Sequence, residues 1–182
     1  FPKEQETSIE IKGRCLMTGL PKVITPEALR NLGAQLNTSG AYGMYHILGF
    51  TPEAPTLEVA FGGKKPEREV VITDKDLRDF EEKFSDELPN GGKIDFAMFG
   101  CPHFTLEEAK YIAEHVEGKK LSVPMYILVS SHALQMAERM GIYDTLAAAG
   151  AELISDSCPD QPCWHYLKGK TGITESPKCA YY

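Results

Sequence analysis

The chain has 182 residues, 42% of them apolar, and its 26 Asp and Glu residues outnumber its 19 Lys and Arg residues, for a formal net charge of −7. Domains run to about 100–200 residues, so one domain with its own core is expected, and the acidic balance lacks the clustered cations that bind nucleic acid. The longest apolar run, Met125–Val129, is far short of the ~20 residues of a membrane span, and the acidic N-terminus does not resemble a signal peptide. We therefore expect a cytoplasmic protein without a membrane or nucleic-acid partner.

The first half of the chain alternates short predicted elements with stiff loops. The elements are, in chain order, a helix from Pro26 to about Asn37, a strand over 42–48, a short helix between Thr56 and Gly62, a strand from Val70, and a helix that Asp74 caps. The strand over 42–48 carries His46 near its end. Two prolines in the following stretch exclude regular structure there, which predicts a rigid loop.

The second half has clearer periodicity. Its elements are a strand over Ile94–Phe99 that breaks at Gly100–His103, a helix from Thr105 to about Val116, a strand over Met125–Val129, helices over 131–139 and 142–149, and a strand over Ala151–Ile154. Crossovers of this length imply right-handed βαβ units and a parallel sheet covered by helices, which makes the fold class α/β. We expect a single domain over residues 1–182 with a weak seam near 90–92, between a less regular part and a βαβαβ part.

Three unusual loops directly follow predicted strands. They are the stretch from His46 to Thr56, the stretch Gly100-Cys101-Pro102-His103, and the stretch Asp156-Ser157-Cys158-Pro159. Ligands of open α/β sheets bind beyond the carboxyl ends of the strands, so we expect these loops to converge on one site.

The chain has five cysteines, an odd number in a protein too large to need disulfide staples, which favours thiol or metal chemistry over a disulfide framework. Cys101 and Cys158 each precede a proline, which stiffens the loop and is expected to leave the sulfur exposed. The dipole of the helix that begins near Thr105 is expected to lower the pKa of Cys101 and favour the thiolate. The alternative is that each cysteine is only a small buried hydrophobic residue.

The spacing of the cysteines limits the kind of metal site. No Cys-x-x-Cys pair exists, which disfavours structural zinc, whereas soft thiolates are suited to iron–sulfur clusters. Two cysteines do not complete a cluster, so a further ligand has to come from Cys163, Cys15 or outside the chain. A redox pair of Cys158 and Cys163 is an alternative with little support from the spacing.

Several motifs together resemble the aconitase X family. They are Tyr45-His46-Ile47-Leu48-Gly49-Phe50-Thr51-Pro52-Glu53-Ala54-Pro55-Thr56, Phe61-Gly62-Gly63-Lys64-Lys65-Pro66, Gly100-Cys101-Pro102-His103 and Asp156-Ser157-Cys158. The similarity runs from about Pro21 to the end. It implies an aconitase-like domain from the C-terminal half of a large subunit, with an N-terminal half and a swivelling small subunit or domain as partners outside this chain. The start at Phe1 agrees with processing or with a piece of a longer protein.

The resemblance implies a hydro-lyase that removes water from a small hydroxy acid at an iron–sulfur cluster or a mononuclear iron, inactive without the rest of the protein. A Lewis-acidic iron with an open position can bind the departing oxygen while a base removes the neighbouring proton. Carried over by motif, the metal ligands are Cys101 and Cys158, the catalytic candidates are His46, Glu53 and His103, and the substrate-binding candidates are Thr51, Thr56, Ser176 and Lys178. The base itself is expected elsewhere.

The end of the chain departs from the family pattern. The family usually shows Thr-Asn-Ser, then Lys, then His-Tyr, whereas this chain has Glu175 in place of Asn and Tyr181 in place of His. These changes leave a second hypothesis open, a non-catalytic α/β module kept for assembly or ligand binding. Among the family substrates, mevalonate 5-phosphate is favoured over cis-3-hydroxy-L-proline by the stretch from Phe61 to Pro66.

Overall fold

The computed structural model describes residues 6–11, 14–20, 23–84 and 92–181, which divide into two compact units, Phe1–Asp86 and Glu87–Tyr182. The α/β fold class is confirmed. The strands form two four-stranded sheets, one in each unit, rather than the one central sheet expected from the sequence. Asn90 and Gly91 of the expected seam lie outside the described residues.

The first unit has a mixed sheet. Its elements are β1 Glu6–Ile11, β2 Arg14–Thr18, α1 Pro26–Gly40, β3 Met44–Ile47, α2 Leu57–Phe61, β4 Arg68–Ile72 and α3 Asp74–Phe84. The strand order is β3-β2-β1-β4, in which β2 and β3 are parallel and the other two pairs antiparallel. The parallel sheet predicted for the chain is therefore wrong in this unit, because two strands pair at its N-terminal end that the sequence analysis did not predict.

The first unit is packed around a small apolar cluster. Leu16, Ala54 and Phe61 are its buried residues. The predicted start of α1 is confirmed, since the Thr25 hydroxyl accepts a hydrogen bond from the Ala28 N–H at 3.1 Å. The prediction that Asp74 caps α3 is wrong. Thr73 performs that function: its hydroxyl accepts from the Asp76 N–H at 3.3 Å, while the Asp76 carboxylate accepts from the Thr73 N–H at 2.8 Å.

The second unit is the predicted parallel α/β arrangement. Its elements are β5 Phe96–Phe104, α4 Leu106–Val116, β6 Met125–Val129, α5 Ser131–Arg139, α6 Ile142–Ala149, β7 Ala151–Ser155, a 3₁₀ helix Pro162–Leu167, β8 Gly172–Ile173 and α7 Pro177–Tyr181. The strand order is β7-β6-β5-β8, and all three pairs are parallel. The capping box of Thr105 and Glu108 at the start of α4 is confirmed.

The sheet of the second unit is covered on both faces. Ile127 and Val129 of β6 pack with α4, α5 and α6 in the main core, whereas Leu128 packs on the opposite face with the 3₁₀ helix. This alternation is why the run Met125–Val129 is apolar throughout, as expected for a strand buried on both faces. Within the described ranges, no helix is both long and apolar enough to cross a membrane.

The strand β5 differs from the prediction at its carboxyl end. It was expected to break at Gly100, and it continues to Phe104 with an irregular register. Pairing with β6 is regular up to Phe99 and resumes only at Phe104. The residues in between include Cys101 and His103, so the predicted functional loop is the irregular end of a strand.

Candidate functional site

In the first unit, His46 and its neighbours form a small polar group at the end of β3. The His46 Nδ1 atom lies 3.4 Å from the Thr51 hydroxyl and 3.9 Å from a carboxylate oxygen of Glu53. The His46 side chain is 18% exposed and that of Glu53 is 67% exposed. The arrangement can orient the imidazole through its Nδ1 atom.

The loop after β3 is held by its own hydrogen bonds. The Thr51 hydroxyl donates to the Ile47 carbonyl at 3.2 Å and accepts from the Ile47 N–H at 3.1 Å, and the Gly49 N–H donates to the Ala54 carbonyl at 2.8 Å. Ala54 is fully buried. The Thr56 hydroxyl caps α2 by accepting from the Val59 N–H at 3.3 Å. Both threonine hydroxyls therefore already contribute to the local fold.

In the second unit, a cavity of about 710 Å³ lies beside the carboxyl part of β5. One part of its wall is apolar and aromatic, and the other carries thiols and single charged groups. The apolar part comprises Phe96, Met98, Trp164, Leu167 and Ile173, and the polar part comprises Cys101, Cys158, Asp160, Thr174, Lys178 and Cys179. This volume lies in the range of pockets that bind small ligands, and the wall offers an apolar surface together with one cation, Lys178, and one carboxylate, Asp160.

Cys101 lies on this cavity with a largely buried side chain. It is 9% exposed, and burial raises the pKa of its thiol, while the Lys178 ammonium and the Ser176 hydroxyl act in the opposite direction. The expectation that a helix dipole lowers this pKa is therefore wrong, because Cys101 lies inside β5 and α4 begins only at Leu106. Lys178 is the positive charge that favours the thiolate.

Cys158 lies after β7 and is exposed, as its loop position predicted. Its carbonyl accepts a hydrogen bond from the Trp164 indole N–H at 2.9 Å. Asp156, two residues earlier, has a φ of 53°, and its carboxylate accepts from the Ser131 N–H at 3.0 Å, at the first turn of α5. The loop that presents Cys158 is thus held from both sides.

His103 connects the two cysteine-bearing segments. Its Nε2 atom lies 2.6 Å from the Ser157 carbonyl oxygen, so the ring donates its N–H there. The residue is absent from the lining of the cavity. His103 is therefore placed between the end of β5 and the loop before Cys158.

The C-terminal segment closes the cavity next to Cys101. Ser176 is 2% exposed, and its hydroxyl donates to the Cys101 carbonyl and accepts from the Cys179 N–H at 3.1 Å. The Glu175 carboxylate accepts from the Gly100 N–H at 2.9 Å. Although the residue as a whole keeps contact with solvent, burial of the carboxyl group raises the pKa of Glu175, and hydrogen bonds from main-chain N–H groups, that of Gly100 foremost, act against this.

The structure thus brings five of the predicted residues together in the second unit. Cys101, Cys158 and Lys178 line the cavity, and Ser176 donates a hydrogen bond to the Cys101 carbonyl. His103 links the two cysteine-bearing segments. In the first unit, His46, Thr51 and Glu53 lie together, whereas Thr56 caps α2.

Sequence reasoning missed three residues of the cavity region. Cys179 lines the cavity with the other two thiols, and both of those raise its pKa in addition to the larger effect of burial. Trp164 forms part of the wall and Glu175 contacts the peptide before Cys101. The one available signal is the departure of the segment Thr174–Cys179 from the family pattern.

The thiols of the cavity are the kind of ligand that a soft metal prefers, but the grouped ligands are too few to hold a metal ion by themselves. Cys101 and Cys158 present sulfur to the same cavity, and Lys178 compensates negative charge there. Over the described ranges, no three His, Cys, Asp or Glu side chains are grouped so as to hold a metal ion. Cys158 and Cys163 are both free thiols. This chain can therefore supply part of a ligand set.

Comparison with family models matches both units. Residues 9–82 match the model described as the aconitase X second domain, and residues 94–182 match the aconitase X third domain. The computed structure is also similar to the crystal structure of Thermococcus kodakaraensis aconitase X in its holo-form, with a TM-score of 0.76 and 31% identity, over 92% of this chain and 41% of that one.

Comparison with curated proteins finds two kinds of dehydratase. The chain is 35% identical over 167 residues to cis-3-hydroxy-L-proline dehydratase of Pseudomonas aeruginosa, covering 86% of this chain and 27% of that protein. It is 32% identical over 159 residues to the phosphomevalonate dehydratase large subunit of Thermococcus kodakarensis, covering 86% of this chain and 39% of that protein. The chain thus spans between a quarter and two fifths of the length of these two relatives.

Proposed function

This chain belongs to the aconitase X family, and from that premise we propose that it is the part of a dehydratase that binds the cofactor and the acid group of a small hydroxy acid. The observation that carries the proposal is the cavity on which Cys101, Cys158 and Lys178 meet. The relatives that match 86% of this chain are named dehydratases, a class of hydro-lyase. A hydro-lyase needs a group that accepts the leaving oxygen and a group that fixes the acid.

The proposed cofactor is an iron–sulfur cluster or a mononuclear iron. Cys101 and Cys158 would hold it, because among the three thiols that line the cavity these two lie in the stretches that resemble the family's motifs, and the remaining ligands would come from outside this chain. When bound, such an iron centre supplies a Lewis acid for the departing hydroxyl group. The chain's own contribution is to hold the two sulfur atoms on the irregular end of β5 and on the loop after β7, both of which hydrogen bonds fix in place.

Lys178 is proposed to bind the anionic end of the substrate. Lys178 and Cys101 line the same cavity, and the Lys178 ammonium acts to lower the pKa of the Cys101 thiol, against the larger effect of burial. Lysine is a compact cation that pairs with either a carboxylate or a phosphate. The apolar wall around Trp164 would contact the carbon skeleton and exclude water.

His46 and Glu53 are proposed as the proton-handling pair of the first unit. Thr51 and Glu53 face Nδ1 of His46, which would leave Nε2 for proton transfer with a substrate. Thr51 and Thr56 would add hydroxyl contacts to the substrate. His103, whose Nε2 is hydrogen-bonded to the Ser157 carbonyl, would act by holding the two cysteine-bearing segments together.

The substrate is proposed to be either mevalonate 5-phosphate or cis-3-hydroxy-L-proline, the acids indicated by the relatives' names. We further propose a cytoplasmic location and assembly with the swivelling small subunit or domain and with the N-terminal half of the large subunit. These partners would complete the ligand set and the pocket.

The decisive experiment measures iron and acid-labile sulfide per chain in the whole protein purified without oxygen. Cys101→Ser and Cys158→Ser are expected to lose most of the iron, and Cys163→Ser is the matched control, because that thiol is exposed and absent from the cavity lining. Dehydration of the two acids is then assayed with the same samples. Iron-free but folded parent protein would overturn the cofactor proposal, and iron-loaded protein inactive on both acids would overturn the substrate proposal.

A further inference from the structure

The strand β5 loses its hydrogen-bonding neighbours before it ends. On one edge it pairs with β8 only at Phe96 and Ala97, and on the other edge regular pairing with β6 stops at Phe99. Main-chain N–H and C=O groups that are shielded from water need partners, and their loss costs free energy. The main chain at residues 100 and 101 therefore has to find partners outside the sheet.

Glu175 and Ser176 supply those partners. The Gly100 N–H donates to the Glu175 carboxylate at 2.9 Å, and the Ser176 hydroxyl donates to the Cys101 carbonyl. Both residues follow β8 closely along the chain, so their side chains continue the edge that β8 begins. One carboxylate and one hydroxyl thus take the place of two main-chain hydrogen bonds between strands.

The segment that carries these side chains is itself held in place. The Ser176 N–H donates to the Thr174 hydroxyl at 3.2 Å, and the Cys179 N–H donates to the Ser176 hydroxyl at 3.1 Å. Ser176 is 2% exposed, which leaves its hydroxyl committed to main-chain partners. The contacts with Gly100 and Cys101 are therefore made by a segment, 174–179, that internal hydrogen bonds hold in one conformation.

The opposite side of the same peptide is closed by β6. Gly100 has a φ of 95°, and a Cβ atom at this position would lie 2.2 Å from the Leu128 carbonyl oxygen. The main chain of Leu128 therefore occupies the space beside Gly100 that a side chain would need. With β6 on one side and the Glu175–Ser176 pair on the other, the direction in which the Cys101 side chain leaves the strand is determined.

We propose that Glu175 and Ser176 are positioning residues that hold the Gly100–Cys101 peptide, so that the Cys101 thiol stays at the wall of the cavity. Neither needs to touch a substrate, because both act through main-chain atoms. The importance of Cys101 rests on the proposed function. The contacts of Glu175 and Ser176 with the Gly100–Cys101 peptide, which we call the clamp, are a property of the polypeptide and can be tested without metal.

The test is site-resolved amide hydrogen exchange on the metal-free whole protein, for the parent and for Glu175→Ala, Glu175→Gln and Ser176→Ala. In Glu175→Ala, the Gly100 amide is expected to exchange about tenfold faster, as the loss of one hydrogen bond to a charged group predicts. Glu175→Gln keeps an acceptor oxygen and is expected to restore most of the protection. Ser176→Ala is expected to speed exchange at Cys179. In these variants, the amides of β6 should exchange at the parent rate. The control variant Glu117→Ala, at an exposed position, should exchange at the parent rate at Gly100 and Cys179.

Two results would overturn the proposal: Gly100 exchange in Glu175→Ala equal to the parent, or equally faster exchange throughout the second unit. If Glu175→Ala does not fold, Glu175→Asp replaces it, since its shorter side chain should leave the Gly100 amide unprotected while keeping the charge. Iron content of the same variants is measured separately. Loss of Gly100 protection in protein that never binds iron would keep the clamp and reject the cofactor proposal, so the two failures are distinguishable.

Discussion

The His103 Nε2 atom lies 2.6 Å from the Ser157 carbonyl oxygen, and this contact joins the end of β5 to the loop that carries Cys158. Because a carbonyl only accepts, Nε2 must carry a proton, which determines the tautomer of the neutral ring. The contact spans 54 positions of the chain, and it joins the strand that carries Cys101 to the loop that carries Cys158.

Replacing His103 is therefore expected to loosen the connection between the end of β5 and the loop that carries Cys158. His103→Ala should lower the free energy of unfolding by about 1–3 kcal/mol, because it leaves a partly buried carbonyl without its donor, and it should reduce iron retention. His103→Gln, which retains an N–H donor, should recover part of both. Urea unfolding and iron analysis measure the two effects. Unchanged stability together with lost turnover would instead indicate a direct catalytic role.

Trp164 is expected to stabilise the cavity wall through both its N–H and its ring. Trp164→Phe removes the donor to the Cys158 carbonyl and weakens the edge-on contact with Tyr126, whose ring centroid lies 5.2 Å away. A loss of about 1–2 kcal/mol in unfolding free energy is expected. The control is His165→Ala, an exposed neighbour in the same 3₁₀ helix, which should change stability by less than about 0.5 kcal/mol. Equal effects of the two substitutions would contradict this account.

Gly100 is expected to tolerate no side chain. Gly100→Ala adds a Cβ atom 2.2 Å from the Leu128 carbonyl and also forces a positive φ on alanine. Main-chain strain of about 1–3 kcal/mol and a comparable cost of overpacking should together destabilise the second unit by about 3 kcal/mol or more.

The control for Gly100 separates the clash from the strain. Gly118 has a φ of 70° and open space around its missing Cβ. Gly118→Ala therefore carries only the cost of the positive φ, about 1 kcal/mol. Chemical denaturation of both variants is the measurement, and similar losses would show that the close approach to β6 is unimportant.

Glu175 is expected to make stability depend on pH. Its pKa is raised above the ordinary value of 4.5, so the folded chain binds the proton more tightly than the unfolded chain does. The stabilising contribution of the protonated form is complete below pH 4.5 and is lost as the pH rises through the raised folded pKa. Glu175→Gln resembles the protonated form.

Denaturation curves between about pH 4 and pH 7 test this linkage. The stability of Glu175→Gln relative to the parent should increase as the pH rises, until Glu175 is fully ionised. A difference between the two proteins that stays constant over this range would show that the Glu175 carboxyl does not titrate with a raised pKa.

Lys178 is expected to determine the affinity for an acid. Lys178→Gln removes a charge-assisted contact, so the KM of the whole protein should rise about tenfold to a hundredfold, as 1.5–3 kcal/mol of lost binding implies. Lys168→Gln, an exposed lysine just after the 3₁₀ helix, is the control and should leave KM unchanged. A KM that stays the same in Lys178→Gln would remove this residue from the substrate contacts.

Local patterns predicted most of the helices and strands because their signals lie within a few residues of one another. Thr25 before Pro26 marked the start of α1, and the box of Thr105 and Glu108 marked that of α4. The apolar run Met125–Val129 is a strand with its side chains buried on both faces of a sheet. The same local reasoning failed at α3, where Thr73 and Asp74 are adjacent and both are good caps.

Pairing between distant strands was not predictable in this way. The strands β1 and β2 pair with each other and with β4 and β3, although nothing local specifies which strands become neighbours. The irregular end of β5 depends on β6 and on a segment about 75 residues away, as the contact between Gly100 and Glu175 shows. A glycine after a strand indicates a break when only its neighbours are considered.

By itself the sequence determined the α/β class, the order of most elements and the resemblance to the aconitase X family, because propensities, caps and motifs are local. Tertiary structure alone decided that Cys101 is buried and that Lys178 is the charge favouring its thiolate. It also decided that Glu175 and Ser176 complete the edge of β5. Burial and hydrogen bonding across long chain separations arise only when the chain is folded, which is why these roles could not be read from neighbouring residues.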